Sequence, residues 1–293
     1  MKFEVEIEND DILRLFSRIS GERVHALRQL CERYGEEEDE VRRYDAYEIL
    51  TASGEKILKK THRAEASNYE KYLANRDFPV PKFYGKWEDD TGCWILLEKI
   101  PGNDLREMTD RLALSAAGSL TEIQNAYWMT EEAGARFEAY WKRINRRFEY
   151  IKKEPVIAES YSLFLKRQLT CPRTLSNGDF LQFNAINHNG RVFIIDWGFG
   201  GILPYSLDIA RFLAHGTPDR ATFPFYMNEG QKKLFVERVY RNLNRKPEFS
   251  RYILDVKLAV LNEYVEFMEA DEDEEGWYRR HALRLAEEVR IPL

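Results

Sequence analysis

Hydrophobic and polar positions follow two rhythms along this chain. Over residues 41–100 the pattern is strand-like. Residues 44–51 (YDAYEILT) mix aromatic and β-branched side chains, Ser53-Gly54 marks a turn, and residues 56–60 (KILKK) read as a returning strand. Residues 61–74 read as a helix stopped by Asn75 and by Pro79-Val80-Pro81. Residues 83–87 and 93–98 read as two further strands around an Asp89-Asp90-Thr91-Gly92 turn. After a break at Pro101-Gly102 the rhythm changes. Apolar residues recur at three- and four-residue spacing over 119–129, 131–153, 158–168, 231–244, 249–269 and 277–289, which predicts helices. The pattern predicts an α+β chain, with a small antiparallel sheet in 1–100 and a larger helical part in 101–293. A cleft between two such lobes is a preferred small-molecule site.

Composition narrows the function. At 293 residues, 44% hydrophobic and 32% charged, the chain can bury a substantial core. A net charge of -6 argues against nucleic acid as a general partner. Cys31, Cys93 and Cys171 are widely spaced and form no C-x-x-C pair, so neither a disulfide framework nor a cysteine-rich zinc site is supported. The five histidines show no H-x-x-x-H spacing. The acidic start MKFEVEIEND lacks an apolar signal core, and no apolar run approaches the ~20 residues of a membrane span. The expectation is a cytoplasmic protein without a membrane partner.

The chemistry concentrates in residues 177–197. Asp179 and Asn184 lie five positions apart, the D-x-x-x-x-N spacing with which protein kinases place a base and a metal ligand. Strand-like arms at 185–187 and 191–196 flank His188-Asn189-Gly190, and Asn-Gly is a strong hairpin signal. A two-residue loop there sets Asn187 opposite Val192 and Asn184 opposite Ile195, with Asp196 one step on. Adjacent strands lie ~4.8 Å apart, so Asn184 and Asp196 can share a cation. Their oxygens suit Mg²⁺. Asp179 can then orient or deprotonate an attacking hydroxyl.

These residues resemble the catalytic core of the aminoglycoside phosphotransferase and choline-kinase-like family, a branch of the protein-kinase-like fold. That family reads H-G-D-x-x-x-x-N, I-D-W and D-x-A. The chain has Asn177-Gly178-Asp179, Asn184, Ile195-Asp196-Trp197 and Asp208-Ile209-Ala210. Residues 96–102 (LLEKIPG) are similar to the lobe-linking segment, 123–128 (IQNAYW) to an L-H-x-x-x-W helix, and 65–85 to a helix, V-P-x-P turn and strand. The resemblance implies a two-lobed fold and an ATP- and Mg²⁺-dependent kinase of a hydroxyl on a small molecule, such as a cationic sugar or amino alcohol. It implies Asp179 as catalytic base, and Asn184 and Asp196 as metal ligands. Lys59 would contact the α- and β-phosphates, paired with Glu65. Backbone groups of Glu98, Lys99 and Ile100 would bind adenine, and Asp208 would support the catalytic loop. Lys60 competes with Lys59, because neighbouring strand residues face opposite sides.

The chain also departs from the pattern. Asn177 stands where the family has a histidine brace; it is shorter but keeps hydrogen-bonding capacity. The region of the phosphate-covering loop, 34–41, holds one glycine and the acidic run Glu36 to Glu40, which would repel phosphate unless it points to solvent. These departures motivate a second reading, a pseudokinase-like binding or regulatory module. Another acidic run, 269–275, reads either as a solvated helix end or as part of a pocket for a cation. Tyr226, Tyr264, Phe267, Trp277 and Tyr278 read as core in preference to a pocket lining.

Overall fold

The computed structural model describes residues 2–34, 40–90, 92–129, 134–214, 227–270, 273 and 276–290. The chain divides into two compact units, 1–101 and 102–293. The fold is α+β, with an antiparallel sheet in the first unit and a mainly helical second unit.

The first unit is a six-stranded antiparallel sheet. Its strands are β1 (Lys2–Glu6), β2 (Val24–Tyr34), β3 (Glu40–Thr51), β4 (Gly54–Thr61), β5 (Phe83–Asp89) and β6 (Gly92–Glu98), in the order β1-β2-β3-β4-β6-β5. The sequence pattern predicts four of these. β1 and β2 escape it because they are rich in Glu, Arg and Gln, and β2 buries little beyond Leu27 and Cys31. Between β1 and β2 runs α1 (Asp10–Ile19), started by Asn9, whose side chain accepts from the Asp11 and Ile12 amides at 3.1 Å. Ile12 and Phe16 on α1 pack with Leu27, Tyr47, Ile49, Leu58, Trp94 and Leu96 of the sheet. The helix after β4 starts as α2 (Arg63–Asn68) and continues as a π-turn, Tyr69–Leu73. Of the acidic stretch Glu36 to Glu40, Glu40 opens β3 and residues 36–39 lie outside the described residues.

The second unit is built from seven helices among the described residues, with short strands between them. α3 (Asp110–Tyr127) begins nine residues before the expected start, where Thr109 caps it by accepting from the Leu112 amide at 3.2 Å. The others are α4 (Ala135–Ile151), α5 (Pro155–Thr170), α6 (Ser206–Ala214), α7 (Glu229–Asn242), α8 (Phe249–Glu269) and α9 (Trp277–Arg290). Tyr161, Phe164, Leu258, Leu261, Val265 and Tyr278 are the centre of a core shared by α4, α5, α8 and α9. Phe267, Trp277 and Tyr278 are buried in that core and Tyr264 packs against it; Tyr226 lies outside the described residues.

Two small sheets carry the motif segment. β7 (Asn103–Asp104), β9 (Ala185–His188) and β10 (Arg191–Ile194) make one, and β8 (Arg173–Ser176) with β11 (Gly201–Pro204) makes the other. Asn187 pairs with Val192, and the Ile195 amide donates to the Asn184 carbonyl at 2.9 Å, the register that the Asn-Gly turn predicts. Gly102 has φ +145°, and a Cβ there would sit 2.0 Å from the Asn187 carbonyl oxygen, so only glycine lets β7 reach β9. A stack of buried rings lies behind the hairpin: Phe180 on Phe212 at 4.6 Å, and Phe212 on Phe235 at 4.7 Å. Phe212→Ala should therefore lower unfolding stability by about 3–5 kcal/mol in chemical denaturation. The same test on exposed Leu283 should move it by less than about 0.5 kcal/mol.

Candidate active site

The loop from β8 to β9 is organised around one buried carboxylate. Asp208 lies near the start of α6. Its Oδ1 accepts from Ser176 Oγ (2.8 Å) and from the Gly178 amide (2.9 Å), and its Oδ2 accepts from the Asn177 amide (2.7 Å). Burial pushes its pKa up to about 6, although those three hydrogen bonds favour the ionised form. Gly178, at φ +79°, makes the turn possible. A Cβ there would come within 2.3 Å of the Phe199 carbonyl oxygen.

Asn177 ties this loop to the end of the hairpin. Its Nδ2 donates to the carbonyls of Ile195 (3.1 Å) and Asp196 (3.0 Å), and its Oδ1 accepts from the Asp179 amide (3.2 Å). The residue is fully buried. Both ends of the amide are in use, so the substitution for histidine leaves the two acidic positions linked through backbone contacts.

Asp179 is held from two sides. Asn184 Nδ2 donates to its Oδ2 (3.0 Å) and to its carbonyl oxygen (2.9 Å). Arg211 of α6 donates to Oδ1 through Nε (3.0 Å) and Nη2 (2.8 Å). The third partner is Glu263 of α8, which receives Arg211 Nη1 at 2.8 Å. Burial raises the Asp179 pKa above the ordinary carboxylate value, with Arg211 pulling it back. Burial also opposes the charge of Arg211, but Glu263 and Asp179 outweigh it and hold the guanidinium protonated. The sequence reading missed Arg211 and Glu263. Arg211 has a legible signal: it is three residues after Asp208 on one helix, hence on the same face. Glu263 sits among apolar residues of α8 and gives no such signal.

Asn184 and Asp196 come from neighbouring chain segments. With its nitrogen committed to Asp179, the Asn184 amide presents Oδ1 as the end available to a cation. Asp196 adopts φ +58°, directly after Ile195, which is bonded to Asn184. One amide oxygen and one carboxylate form a hard-oxygen donor set, which fits Mg²⁺ completed by water and phosphate oxygens.

In the first unit Lys59 Nζ lies 2.9 Å from Glu65 Oε2, and Glu65 is buried. Thr61 Oγ1 also donates to Glu65 Oε2. Lys60 is exposed, with its ammonium 6.0 Å from the Trp94 ring. Between the two lysines, Lys59 is the one in the ion pair. The Glu98 amide donates to the Lys82 carbonyl (2.8 Å) and the Lys99 amide to the Glu55 carbonyl (3.3 Å). Ile100 is half-buried, and among the described residues its amide has no acceptor.

A cavity of about 270 Å³ in the second unit has Gly178, Asp179, Asp208 and Arg211 in its wall. Tyr140, Arg143 and Arg147 of α4 and Asn262, Glu263 and Glu266 of α8 also line it. The α4 residues give no site signal in the sequence, because the apolar periodicity of that helix does not report on its charged positions. The acidic run 269–275 is partly accounted for. Glu269 pairs with Arg146 at 2.7 Å, and Asp273 accepts from the Tyr278 amide at 2.6 Å at the start of α9. Residues 271, 272, 274 and 275 lie outside the described residues.

The braced Asp179, Asn184 beside it and Asp196 after the hairpin are the D-x-x-x-x-N and I-D-W residues of the sequence motif, brought together by the fold. The model of the APH phosphotransferase enzyme family matches residues 41–243, and the chain belongs to that family. No curated protein sequence matches it in direct comparison. Among solved structures the fold is similar to a putative fructosamine-3-kinase from Haemophilus somnus, at 13% identity and TM-score 0.56 over 95% of this chain and 96% of that one. It is similar to a thermostable mutant aminoglycoside phosphotransferase, solved with ADP and hygromycin B, at 18% identity and TM-score 0.56 over 94% and 97%. It is similar also to a Plasmodium vivax ethanolamine kinase, at 11% identity and TM-score 0.53 over 83% and 77%. No helix among the described residues is long and apolar enough to cross a membrane.

Because burial carries Asp208 to about pH 6, its carboxyl carbon should titrate near that value by ¹³C NMR, about two pH units above an exposed aspartate. The sign for stability follows. A folded-state pKa above the unfolded value makes the contribution complete below the unfolded pKa and lost as pH rises through about 6. Asp208→Asn should flatten that part of the stability–pH curve.

Proposed function

We propose that the protein is an ATP- and Mg²⁺-dependent phosphotransferase acting on a hydroxyl of a small molecule. The observation that carries this reading is Asp179, fixed by Asn184 and Arg211 at the wall of a cavity, with Asp196 one residue beyond the partner of Asn184. The first unit supplies the nucleotide contacts. Lys59, held by Glu65, meets the α- and β-phosphates, and the Ile100 amide donates to the adenine ring alongside the backbone of Glu98 and Lys99. The amides of Glu98 and Lys99 are engaged in the sheet, so Ile100 carries the donor role in that segment.

The second unit supplies the chemistry. Asn184 and Asp196 would hold Mg²⁺, which when bound would neutralise charge on the phosphate oxygens. Asp179 aligns the acceptor hydroxyl and receives its proton as the acceptor oxygen bonds to the γ-phosphorus. The bond to the bridging oxygen breaks, and ADP leaves. Arg211 keeps Asp179 in one rotamer, and Glu263 neutralises the charge of Arg211. Most of the catalytic effect comes from positioning and fixed charge.

Asn177 was one motive for the alternative of a binding-only module. Its contacts with Ile195, Asp196 and Asp179 weigh toward turnover, because they serve the positioning that the reaction needs. Of the acidic run 269–275, the described Glu269 and Asp273 are used in ion pairing and capping, so these two do not speak for a cationic acceptor.

Asp196→Ala should abolish the Mg²⁺-dependent thermal shift produced by ATP; an unchanged shift would count against the metal assignment. Asp179→Asn should retain that shift while lowering kcat about 10²–10⁴-fold in an ADP-release assay. With Asp179 raised by burial, kcat/KM should fall on the acid side at a pH above the usual carboxylate range. A profile flat down to pH 4.5 would contradict that role.

A further inference from the structure

The cavity beside Asp179 is walled by three arginines, and they are not alike. Arg211 is engaged by Asp179 and Glu263. Arg147 is buried, and it donates to Glu266 (2.6 Å) and to Asn262 Oδ1 (2.9 Å). Arg143 has neither kind of partner. Among the described residues no carboxylate or carbonyl accepts from its guanidinium, and its Nε is closed off from solvent without an acceptor. Arg147 Nε is likewise buried without an acceptor, but Arg143 is half-buried and lines the cavity, so among the described residues it is the wall arginine whose guanidinium no carboxylate already engages.

The rest of the wall does not supply that acceptor. Asp208 is committed to the loop, Asp179 and Glu263 to Arg211, and Glu266 to Arg147. Nor is Arg143 masked by its own helix. Arg136, Tyr140, Arg143 and Arg147 are spaced by four, three and four residues, which puts them on one face of α4. Arg136, at the other end of that stripe, donates to the Phe199 carbonyl (2.8 Å). Its proton affinity is lowered, first by burial and then by the charge of Arg143. Arg136 lies outside the cavity wall, and its like charge is near enough to Arg143 to be felt there.

We infer that Arg143 binds an oxyanion of the acceptor, a carboxylate or a phosphate ester, so that the substrate is a small hydroxylated acid. This rests on the reading of Asp179 as the base, which the acceptor's hydroxyl must reach from the same cavity. The planar guanidinium matches either oxyanion with paired hydrogen bonds, whereas it repels an ammonium. At about 270 Å³ the cavity is at the small end of ligand pockets, which suits a compact metabolite.

The test uses matched probes on the full chain: glycerate and glycerol phosphate against glycerol, gluconate against glucitol, and homoserine against its amino-alcohol counterpart. Thermal shift reads binding without turnover, and ADP release with ATP and Mg²⁺ reads the reaction. Acids are expected to stabilise the protein where their neutral partners do not. Whichever acid is used, Arg143→Met should raise its apparent Kd or KM about 10–100-fold, with a smaller change in kcat. Arg143→Lys should recover part of the loss, which separates the charge effect from misfolding. Comparing glycerate with glycerol phosphate tells carboxylate from phosphate ester. Acid-dependent shifts that need Arg143 but give no ADP would sustain the anion site and sink the phosphotransferase reading. Turnover of neutral or amino-alcohol probes indifferent to Arg143 would do the reverse. No acid-dependent shift or turnover across the panel overturns the inference.

Discussion

Everything in the catalytic segment depends on the burial of one carboxylate. Asp208 gathers two backbone amides and a hydroxyl from consecutive residues of the β8–β9 loop. A hydrogen bond to a charged group is worth about 1.5–3 kcal/mol, so three of them offset a desolvation cost of several kcal/mol. They do not cancel it. The rise from 3.8 to about 6 is a residual penalty of about 3 kcal/mol on the ionised form. The loop thus takes its shape from an anion the interior only just tolerates. A turn with glycine at φ +79° and asparagine beside it has little else to fix it.

From that anchor, order passes outward in two directions. Asn177 carries it to the hairpin, because its amide spans from Asp179 to the carbonyls of Ile195 and Asp196. α6 carries it to the helical core, because Arg211, one turn beyond Asp208, clamps Asp179 and leans on Glu263 of α8. The ring stack of Phe180, Phe212 and Phe235 fills the space behind the loop. Apolar packing sets the position of the loop, and the polar network sets the direction of its side chains.

How much was legible in the sequence follows from the range of each interaction. The Asn-Gly turn fixed the hairpin register locally, so Asn184 and Asp196 could be placed beside each other by counting. The Lys59–Glu65 pair was within reach through the family resemblance, and the structure forms that ion pair. Which of Lys59 and Lys60 pairs with Glu65 needed the sheet, since only its faces separate two adjacent lysines. β1, β2 and the early start of α3 were missed, because the edge strand β1, its charge-rich neighbour β2 and a capping threonine carry little hydrophobic signal. Arg143 and Glu263 were out of reach. Their neighbours in the cavity come from segments far apart in the chain, and no periodicity reports which polar residue of a helix faces inward.

The stripe Arg136, Tyr140, Arg143 and Arg147 lies on a helix that ends more than twenty residues before the catalytic loop begins. Under the roles proposed above, bond-making residues and acceptor-sorting residues are encoded in separate stretches of the gene. Recombination or drift in α4 can retune what enters the cavity while Asp179, Asn184 and Asp196 stay untouched. A motif search over the loop would report the same enzyme before and after such a change.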